Sequence, residues 1–162
     1  MKLELLTPQR WLQLRDRLIA FAALYSDKRL TLASLQSLRS LDCAQLGKEQ
    51  AEAAIAVLSL KGRIKGIGFA SDGGEGGCLI VVHPSERGNG LGTKLAKALL
   101  EQSGRLTCNV ALDNPASMLV CFHIGMKAVS MHTGPTGKPT LRFERGLFHD
   151  TTGAGYTDVV SQ

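Results

Sequence analysis

The fold of this chain depends on one stretch, VVHPSERGNGLGTKLAKALL, residues 81–100. It runs from an apolar strand through a proline and an arginine into three glycines at alternate positions, and then into a helical pattern. A turn alone needs one or two glycines, so this spacing indicates a backbone that a ligand approaches closely. We call residues 87–93 the glycine loop.

Regular elements extend upstream of the glycine loop. Alternation and turn-rich breaks predict three strands, in AAIAVLSL, IKGIGFA and CLIVVHP, with SDGGEGG as the hairpin loop before the last of them. Before these strands we expect a short strand in KLELLT, a helix beginning near Pro8, and a second helix after Thr31 in LASLQSLRSL. Gly47 is a candidate terminator of that second segment.

Downstream of the loop, the pattern predicts a helix in TKLAKALLEQSG that stops at Gly104, and then a strand in RLTCNVALD. A short helix follows in NPASMLVCFHIG, with Asn114 as its N-cap and Pro115 in its first turn. KAVSMHT and TLRFER predict a last hairpin. We expect one domain, residues 1–146, and a partly ordered tail, residues 147–162.

Composition and charge exclude several classes of function. No apolar run is long enough to span a bilayer, and the first residues are interrupted by charges where a secretory signal is apolar, so we expect a cytoplasmic protein without membrane contact. The formal charge of +5 suits an anionic ligand. Basic residues are scattered and only 5% of residues are aromatic, which disfavours nucleic-acid binding. A basic nucleic-acid-associated protein is nevertheless kept as a weaker alternative to the functions considered below.

The cysteines do not indicate a metal site. The chain has four cysteines and no C-x-x-C pair, so we expect free thiols. Cys108 and Cys121 could be combined with His123 and His132, but their spacing matches no common structural zinc pattern. We therefore predict no metal.

The spacing of the glycines excludes two familiar phosphate-binding motifs. A P-loop requires four residues between its first glycine and a G-K-[ST] end, and a dinucleotide fingerprint requires G-x-G-x-x-G. What this chain has is R-x-x-G-x-G, from Arg87 through Gly90 to Gly92. Successive N–H groups at a helix N-terminus form a positive nest that suits a diphosphate, to which Arg87 can add charge. The alternative is a solvated strand-to-helix turn without a ligand.

In these residues the chain resembles the GNAT superfamily of N-acetyltransferases. LIVVHPSERGNGLGTKLAKALL is similar to the family's fourth strand, pyrophosphate loop and following helix, and NPASMLVCFHIGM resembles its N-x-x-A-x-x-x-Y-x-x-x-G-F segment. The resemblance implies an α+β fold, with a mixed, largely antiparallel sheet of about seven strands flanked by about four helices.

The resemblance also implies a function. It implies transfer of an acetyl group from acetyl-CoA, as cosubstrate, to a primary amine by direct attack, without a covalent enzyme intermediate. The acceptor would be a small-molecule amine or a peptide amine, and a homodimer is compatible with this class. The residues expected to bind the cosubstrate are Ile80, Val81, Val82, Arg87, Gly88, Asn89, Gly90, Leu91, Gly92, Thr93 and Asn114. An N–H near Val81 or Val82 would polarise the thioester carbonyl.

One catalytic residue of the resembled family is missing. Cys121 stands where the family usually has a tyrosine that protonates the departing thiolate. A cysteine can act as this general acid, but a buried packing role and a proton from water are the alternatives. No general base is identifiable among Glu75, His83, His123 and His132. The alternative to an enzyme is therefore a catalytically silent CoA-binding or regulatory module.

Overall fold

The computed structural model describes residues 1–27, 29, 32–47 and 51–147. Within these residues the helices and strands follow the predicted order, and the α+β fold class is confirmed. The strands are β1 (Lys2–Leu5), β2 (Ala53–Leu60), β3 (Arg63–Ser71), β4 (Gly77–Val82), β5 (Arg105–Ala111), β6 (Lys127–Thr133) and β7 (Pro139–Gly146). The helices are α1 (Pro8–Tyr25), α2 (Leu32–Arg39), α3 (Leu91–Ser103) and α4 (Pro115–His123).

The strands are divided between two sheets. One has the order β1-β2-β3-β4 and the other the order β5-β7-β6, and every described ladder is antiparallel. The sequence predicted one mixed sheet, so the division is new information. It makes β4 an edge strand of the first sheet, whose outward backbone groups pair with no strand in the described part of the chain.

Apolar side chains fill both faces of the first sheet. Alternate residues of β4 face opposite sides: Leu79 and Val81 pack towards α1 and α2, whereas Ile80 packs towards α3. On the α1 side the core includes Trp11 and Leu18, both nearly inaccessible to solvent. Each such side chain contributes about 2 kcal/mol through removal of apolar surface from water. β4 is therefore held from both sides while its edge stays free.

The second helix is shorter than the sequence predicted. It ends at Arg39, and a 3-10 turn, Cys43–Gln45, lies between it and Gly47. The Asp42 carboxylate accepts the Ala44 N–H at 3.0 Å, which gives this segment a cap of its own. Side-chain hydrogen bonds of this kind compete with continuation of a helix, so the prediction that Gly47 ends the helix was wrong.

The turn between β3 and β4 is attached to the second sheet. We call residues 71–76 the β3–β4 turn. Asp72 forms an ion pair with Arg105 of β5 at 2.6 Å, and Glu75 forms one with Arg142 of β7. The Thr107 hydroxyl donates to the Gly73 carbonyl at 3.2 Å. These contacts fix the start of β4 against β5.

The predicted tail lies outside the described residues except for Leu147, whose N–H donates to the Gly104 carbonyl at 2.9 Å. Thr31, before the second helix, also lies outside them. Among the helices that the structure describes, none has the length and apolar character that crossing a membrane requires.

Candidate functional site

The glycine loop leaves the end of β4 through a short 3-10 turn, Pro84–Glu86, that the sequence did not predict. His83 opens this turn, and its Nδ1 accepts the Ser85 N–H at 3.2 Å. Residues 87–90 of the loop, including Asn89, are exposed between this turn and α3. It therefore presents backbone to solvent at the point where β4 ends.

The three glycines serve two different purposes. Gly88 and Gly90 have φ values of 77° and 75°, and a Cβ added at either would meet nothing within 4 Å. Gly92 lies in the first turn of α3, where a Cβ would lie 3.3 Å from Cγ2 of Val120 and 4.0 Å from Cγ2 of Ile80. The first two thus turn the chain beside open space, and the third lets α3 approach α4 and β4.

The N-terminus of α3 has no side-chain cap. Its N-cap is Gly90, which makes no capping hydrogen bond. In contrast, the Thr7 hydroxyl accepts the Arg10 N–H in α1, and Asn114 caps α4. The first N–H groups of a helix have no acceptor within the helix and carry the positive end of its dipole. Leu91, Gly92 and Thr93 therefore provide three N–H groups for an external anion.

Arg87 is engaged within the protein. Its guanidinium donates to the Tyr25 carbonyl at 2.8 Å and to the Val82 carbonyl at 3.2 Å, and it forms an ion pair with Asp27. The sequence had suggested that Arg87 adds charge to the loop. In this structure Asp27 balances that charge, so the arginine joins the loop to the end of α1.

Backbone alternation identifies which groups of β4 face its free edge. The His83 N–H donates to the Lys65 carbonyl of β3 at 2.8 Å. Since alternate residues of a strand point their backbone groups to opposite sides, those of Val81 also face β3, and those of Ile80 and Val82 face the free edge. Of the two predicted N–H candidates, this orientation favours Val82.

Asn114 acts as the predicted N-cap of α4. Its side-chain oxygen accepts the Ser117 N–H at 3.3 Å. The preceding residue, Asp113, binds Lys138 at 2.6 Å and Arg29 at 3.8 Å. Lys138 holds the pKa of Asp113 below its usual value. These contacts connect the start of α4 with the last hairpin and with the segment after α1.

Cys121 is buried in the core beside another cysteine. It is 4% exposed, and its Sγ lies 3.4 Å from Sγ of Cys108 on β5. The hydrogen bond between the two thiols lowers the pKa of Cys121 and raises the pKa of Cys108. Burial raises the pKa of the nearby Cys78 thiol to about 12. The structure therefore surrounds Cys121 with sulfur and apolar groups.

The four candidate bases lie on different elements, and two of them are already hydrogen-bonded within the protein. Glu75 is in the β3–β4 turn and is paired with Arg142. His83 directly follows β4, its ring lies 4.6 Å from the Tyr25 ring, and its Nδ1 accepts the Ser85 N–H. His123 ends α4, and His132 is exposed on β6.

Two surface hollows lie away from this site. One is bordered by Thr7, Gly47 and residues of β2, and the other by α1 and Arg39. Neither includes a residue of the glycine loop, so backbone geometry rather than cavity shape defines the candidate site. No group of three or more metal-binding side chains occurs among the described residues.

The sequence over residues 12–126 matches the profile of the acetyltransferase (GNAT) family. The chain belongs to this family, which confirms the predicted resemblance and the acyltransferase class. The matched segment of the chain contains the glycine loop, the whole of β4 and the whole of α4.

Solved structures agree with this assignment at the level of the fold. A GNAT-family acetyltransferase from Streptococcus pneumoniae has a TM-score of 0.66 and 16% identity over 90% of this chain and 99% of its own. A chimera of spermidine N-acetyltransferase SpeG from Vibrio cholerae and hSSAT has a TM-score of 0.65 and 13% identity, covering 91% and 96%. The aminoglycoside acetyltransferase AAC(6')-Ib, in complex with coenzyme A and kanamycin, has a TM-score of 0.56 and 20% identity, covering 90% and 94%. A search of curated proteins finds no significant match.

Proposed function

We propose that this protein transfers an acetyl group from acetyl-CoA to a primary amine of a small molecule or a peptide. The main support for this proposal is the N-terminus of α3, which has no side-chain cap and follows β4 in the sequence. β4 has a free edge, and the chain belongs to the GNAT family. Exposed N–H groups beside an exposed strand edge suit a diphosphate with an extended arm.

The glycine loop would bind the diphosphate of acetyl-CoA. The N–H groups of Leu91, Gly92 and Thr93 supply donors at the positive end of α3, and the open space at Gly88 and Gly90 leaves room for the phosphates. Arg87 supports this geometry through its bonds to Tyr25 and Val82, and we infer that its own charge has a secondary role because Asp27 balances it.

The free edge of β4 would pair with the pantetheine arm as an added strand does. Ile80 and Val82 direct backbone groups towards this edge, and the Val82 carbonyl is already used by Arg87. The Val82 N–H is then the donor that would stabilise the thioester oxygen as negative charge develops there. The neutral amine nitrogen attacks the carbonyl carbon and the C–S bond breaks. The attacking nitrogen loses one proton to water and the departing thiolate takes one up, which gives an amide and the free CoA thiol.

The class of acceptor is proposed as small amines. Two of the similar structures are described as spermidine and aminoglycoside acetyltransferases, and both names denote amine substrates. Among the described residues near the end of α1, Asp27 pairs with Arg87, and Asp113 pairs with Arg29 and Lys138. A cytoplasmic location, a single catalytic domain over residues 1–146 and a homodimer remain predictions.

A second candidate function is a silent CoA-binding module. The burial of Cys121 and its contact with Cys108 favour this alternative, because a thiol directed into the core is poorly placed to protonate a leaving group. In the catalytic proposal Cys121 has a packing role and water supplies the proton. We expect C121A to retain the acetyl-transfer rate and its pH profile, whereas loss of rate with an altered pH profile would assign the acid role to this thiol.

The two functions separate in one experiment. Binding of acetyl-CoA is measured by calorimetry, and release of the CoA thiol is followed with spermidine, kanamycin, single amino acids and short peptides as acceptors. We expect binding and amine-dependent thiol release. Binding without release for any amine would support the silent module, and absence of binding would contradict both functions.

A further inference from the structure

Three cysteines from three different elements meet in the core next to α3. Cys78 is on β4, Cys108 on β5 and Cys121 on α4, and all three contribute to the same apolar cluster. Sγ of Cys108 and Sγ of Cys121 are in contact at 3.4 Å. The fourth cysteine, Cys43, packs against the separate cluster on the α1 side. All four are free thiols.

We propose that Cys108 and Cys121 form a site of reversible oxidation, at which a peroxide converts the two thiols into one disulfide bond. This inference does not rest on the acetyl-transfer function, because it concerns only the contact between β5 and α4.

The contact needs little movement to become a bond. A disulfide has an S–S distance of about 2.05 Å, so the two sulfurs must approach by somewhat more than 1 Å, which side-chain rotation and small shifts of α4 can supply. Cys121 is buried, but Cys108 is only partly so. Because Cys121 is only 4% exposed, we expect a small peroxide to reach this pair more readily than a bulky thiol such as glutathione. The surroundings therefore favour an intramolecular disulfide over a mixed one.

The two thiols are unequal, which gives the reaction an order. The two sulfurs share a hydrogen bond, which lowers the pKa of Cys121 and raises that of Cys108. The thiolate is the nucleophile in such oxidations. The Cys121 thiolate attacks a peroxide oxygen, the O–O bond breaks, and Cys121 becomes a sulfenic acid while hydroxide leaves and takes up a proton.

The Cys108 thiol then completes the reaction. Its sulfur attacks the sulfenic sulfur, the S–S bond forms, the S–O bond breaks, and water leaves with the thiol proton. Two electrons pass from the two thiols to one peroxide, and a dithiol reductant reverses the change. Cys78 is the competing partner, but the sulfur–sulfur contact in this cluster joins Cys108 to Cys121.

Peptide mapping distinguishes the pairings directly. Trypsin releases Cys108 and Cys121 in one peptide, residues 106–127, whereas Cys78 is in residues 66–87 and Cys43 in residues 40–48. The folded wild-type protein is treated with hydrogen peroxide, blocked with an alkylating agent under denaturing conditions and digested without reductant. We expect peptide 106–127 to lose about 2 Da and to carry no alkyl group, and dithiothreitol to restore both thiols.

The controls use the protein itself and one matched variant. C43S removes the cysteine on the other core cluster and should leave the result unchanged. When the chain is unfolded in urea, hydrogen peroxide should no longer oxidise the cysteines of residues 106–127 in preference to the others. The proposal is overturned if peptide 106–127 stays fully alkylated while Cys43 is oxidised, or if the linked product joins peptide 106–127 to peptide 66–87. Since the wild-type chain gives the decisive result, no variant has to fold for the test to hold.

Discussion

Two glycine-rich segments flank β4, and the structure uses them in opposite ways. The β3–β4 turn precedes the strand and is packed against β5: a Cβ added at Gly74 would lie 1.9 Å from the Thr107 carbonyl oxygen. The glycine loop follows the strand, and a Cβ added at Gly88 or Gly90 would meet nothing within 4 Å. In the turn, glycine is required by the protein's own packing. In the loop, the protein leaves that space open.

The difference shows how glycine content should be interpreted. Both segments are rich in glycine and both lie at an end of β4, so composition alone does not separate a structural turn from a ligand loop. Their surroundings do: the turn is tied to Arg105 and Arg142, whereas the loop ends in a helix without a side-chain cap. We therefore expect substitutions in the turn to lower stability, and substitutions in the loop to lower cosubstrate affinity.

The largest effect is expected at Gly74. In G74A the new methyl group would collide with the Thr107 carbonyl, and φ of 99° would strain any L-residue. We expect the free energy of unfolding to fall by about 3 kcal/mol, as seen for overpacked and strained positions. Urea denaturation of G74A and G88A side by side measures this difference. Equal losses in both variants would show that the two segments are not distinct.

A second effect, on binding rather than folding, is expected at Gly90. In G90L the side chain would project into the open space beside the N–H groups of α3, and we expect the Kd for acetyl-CoA to rise by about tenfold or more. The matched control is G62L, because Gly62 has φ of 74° and equally open space in the β2–β3 turn. Both variants should lose similar stability, about 1 kcal/mol. Comparable Kd values for the two variants would show that the glycine loop is not part of the acetyl-CoA site.

A smaller effect is expected from the ion pair that joins the loop to α1. R87A removes the donors to the Tyr25 and Val82 carbonyls, and we expect acetyl-CoA affinity to fall by about threefold, since Asp27 already balances the charge of Arg87. D27N removes that balance while it preserves a hydrogen-bond acceptor. It should leave affinity unchanged or increase it. If D27N lost as much affinity as R87A, the ion pair between Arg87 and Asp27 would act only by holding the loop in place, and the expected effect of charge would be contradicted.

The smallest effect is expected at the ion pair of Glu75 in the β3–β4 turn. The Arg142 guanidinium holds the pKa of Glu75 below its usual value of 4.5. A carboxylate whose pKa is lower in the folded state than in the unfolded state stabilises the fold at a pH above its unfolded-state pKa. This stabilisation is lost as the pH falls through the folded-state pKa. We expect the Tm difference between wild type and E75Q to be small at pH 7, to shrink as the pH falls below 4.5, and to vanish once the pH is below the lowered pKa of the folded state. A difference that grows on acidification would contradict the assigned sign.

Local features of this fold could be predicted from the sequence, and contacts between distant segments could not. Gly104 ends α3 with φ of 72° and Asn114 caps α4, as their positions beside periodic segments indicated. The pairing of Arg87 with Asp27 joins residues 60 positions apart, and the contact of Cys108 with Cys121 joins a strand to a helix. No local pattern encodes either contact, because each depends on how the elements pack.

The candidate site shows the same limit. The glycine loop was recognisable because its backbone geometry requires glycine at fixed spacing. The choice of Val82 over Val81 required the register of β4 against β3, which the hydrogen bond from the His83 N–H to the Lys65 carbonyl reveals. The absence of a side-chain cap on α3 became informative only once the caps of α1 and α4 were seen.

The most direct test of the central claim is an NMR titration of the ¹⁵N-labelled protein with acetyl-CoA. The amide resonances of Gly88, Gly90 and Gly92 report on the proposed diphosphate site, and those of Gly62 and Gly74 report on turns away from it. We predict large shifts for the three loop glycines and little change for the other two. Unmoved loop resonances in a sample that binds acetyl-CoA would contradict the proposed site.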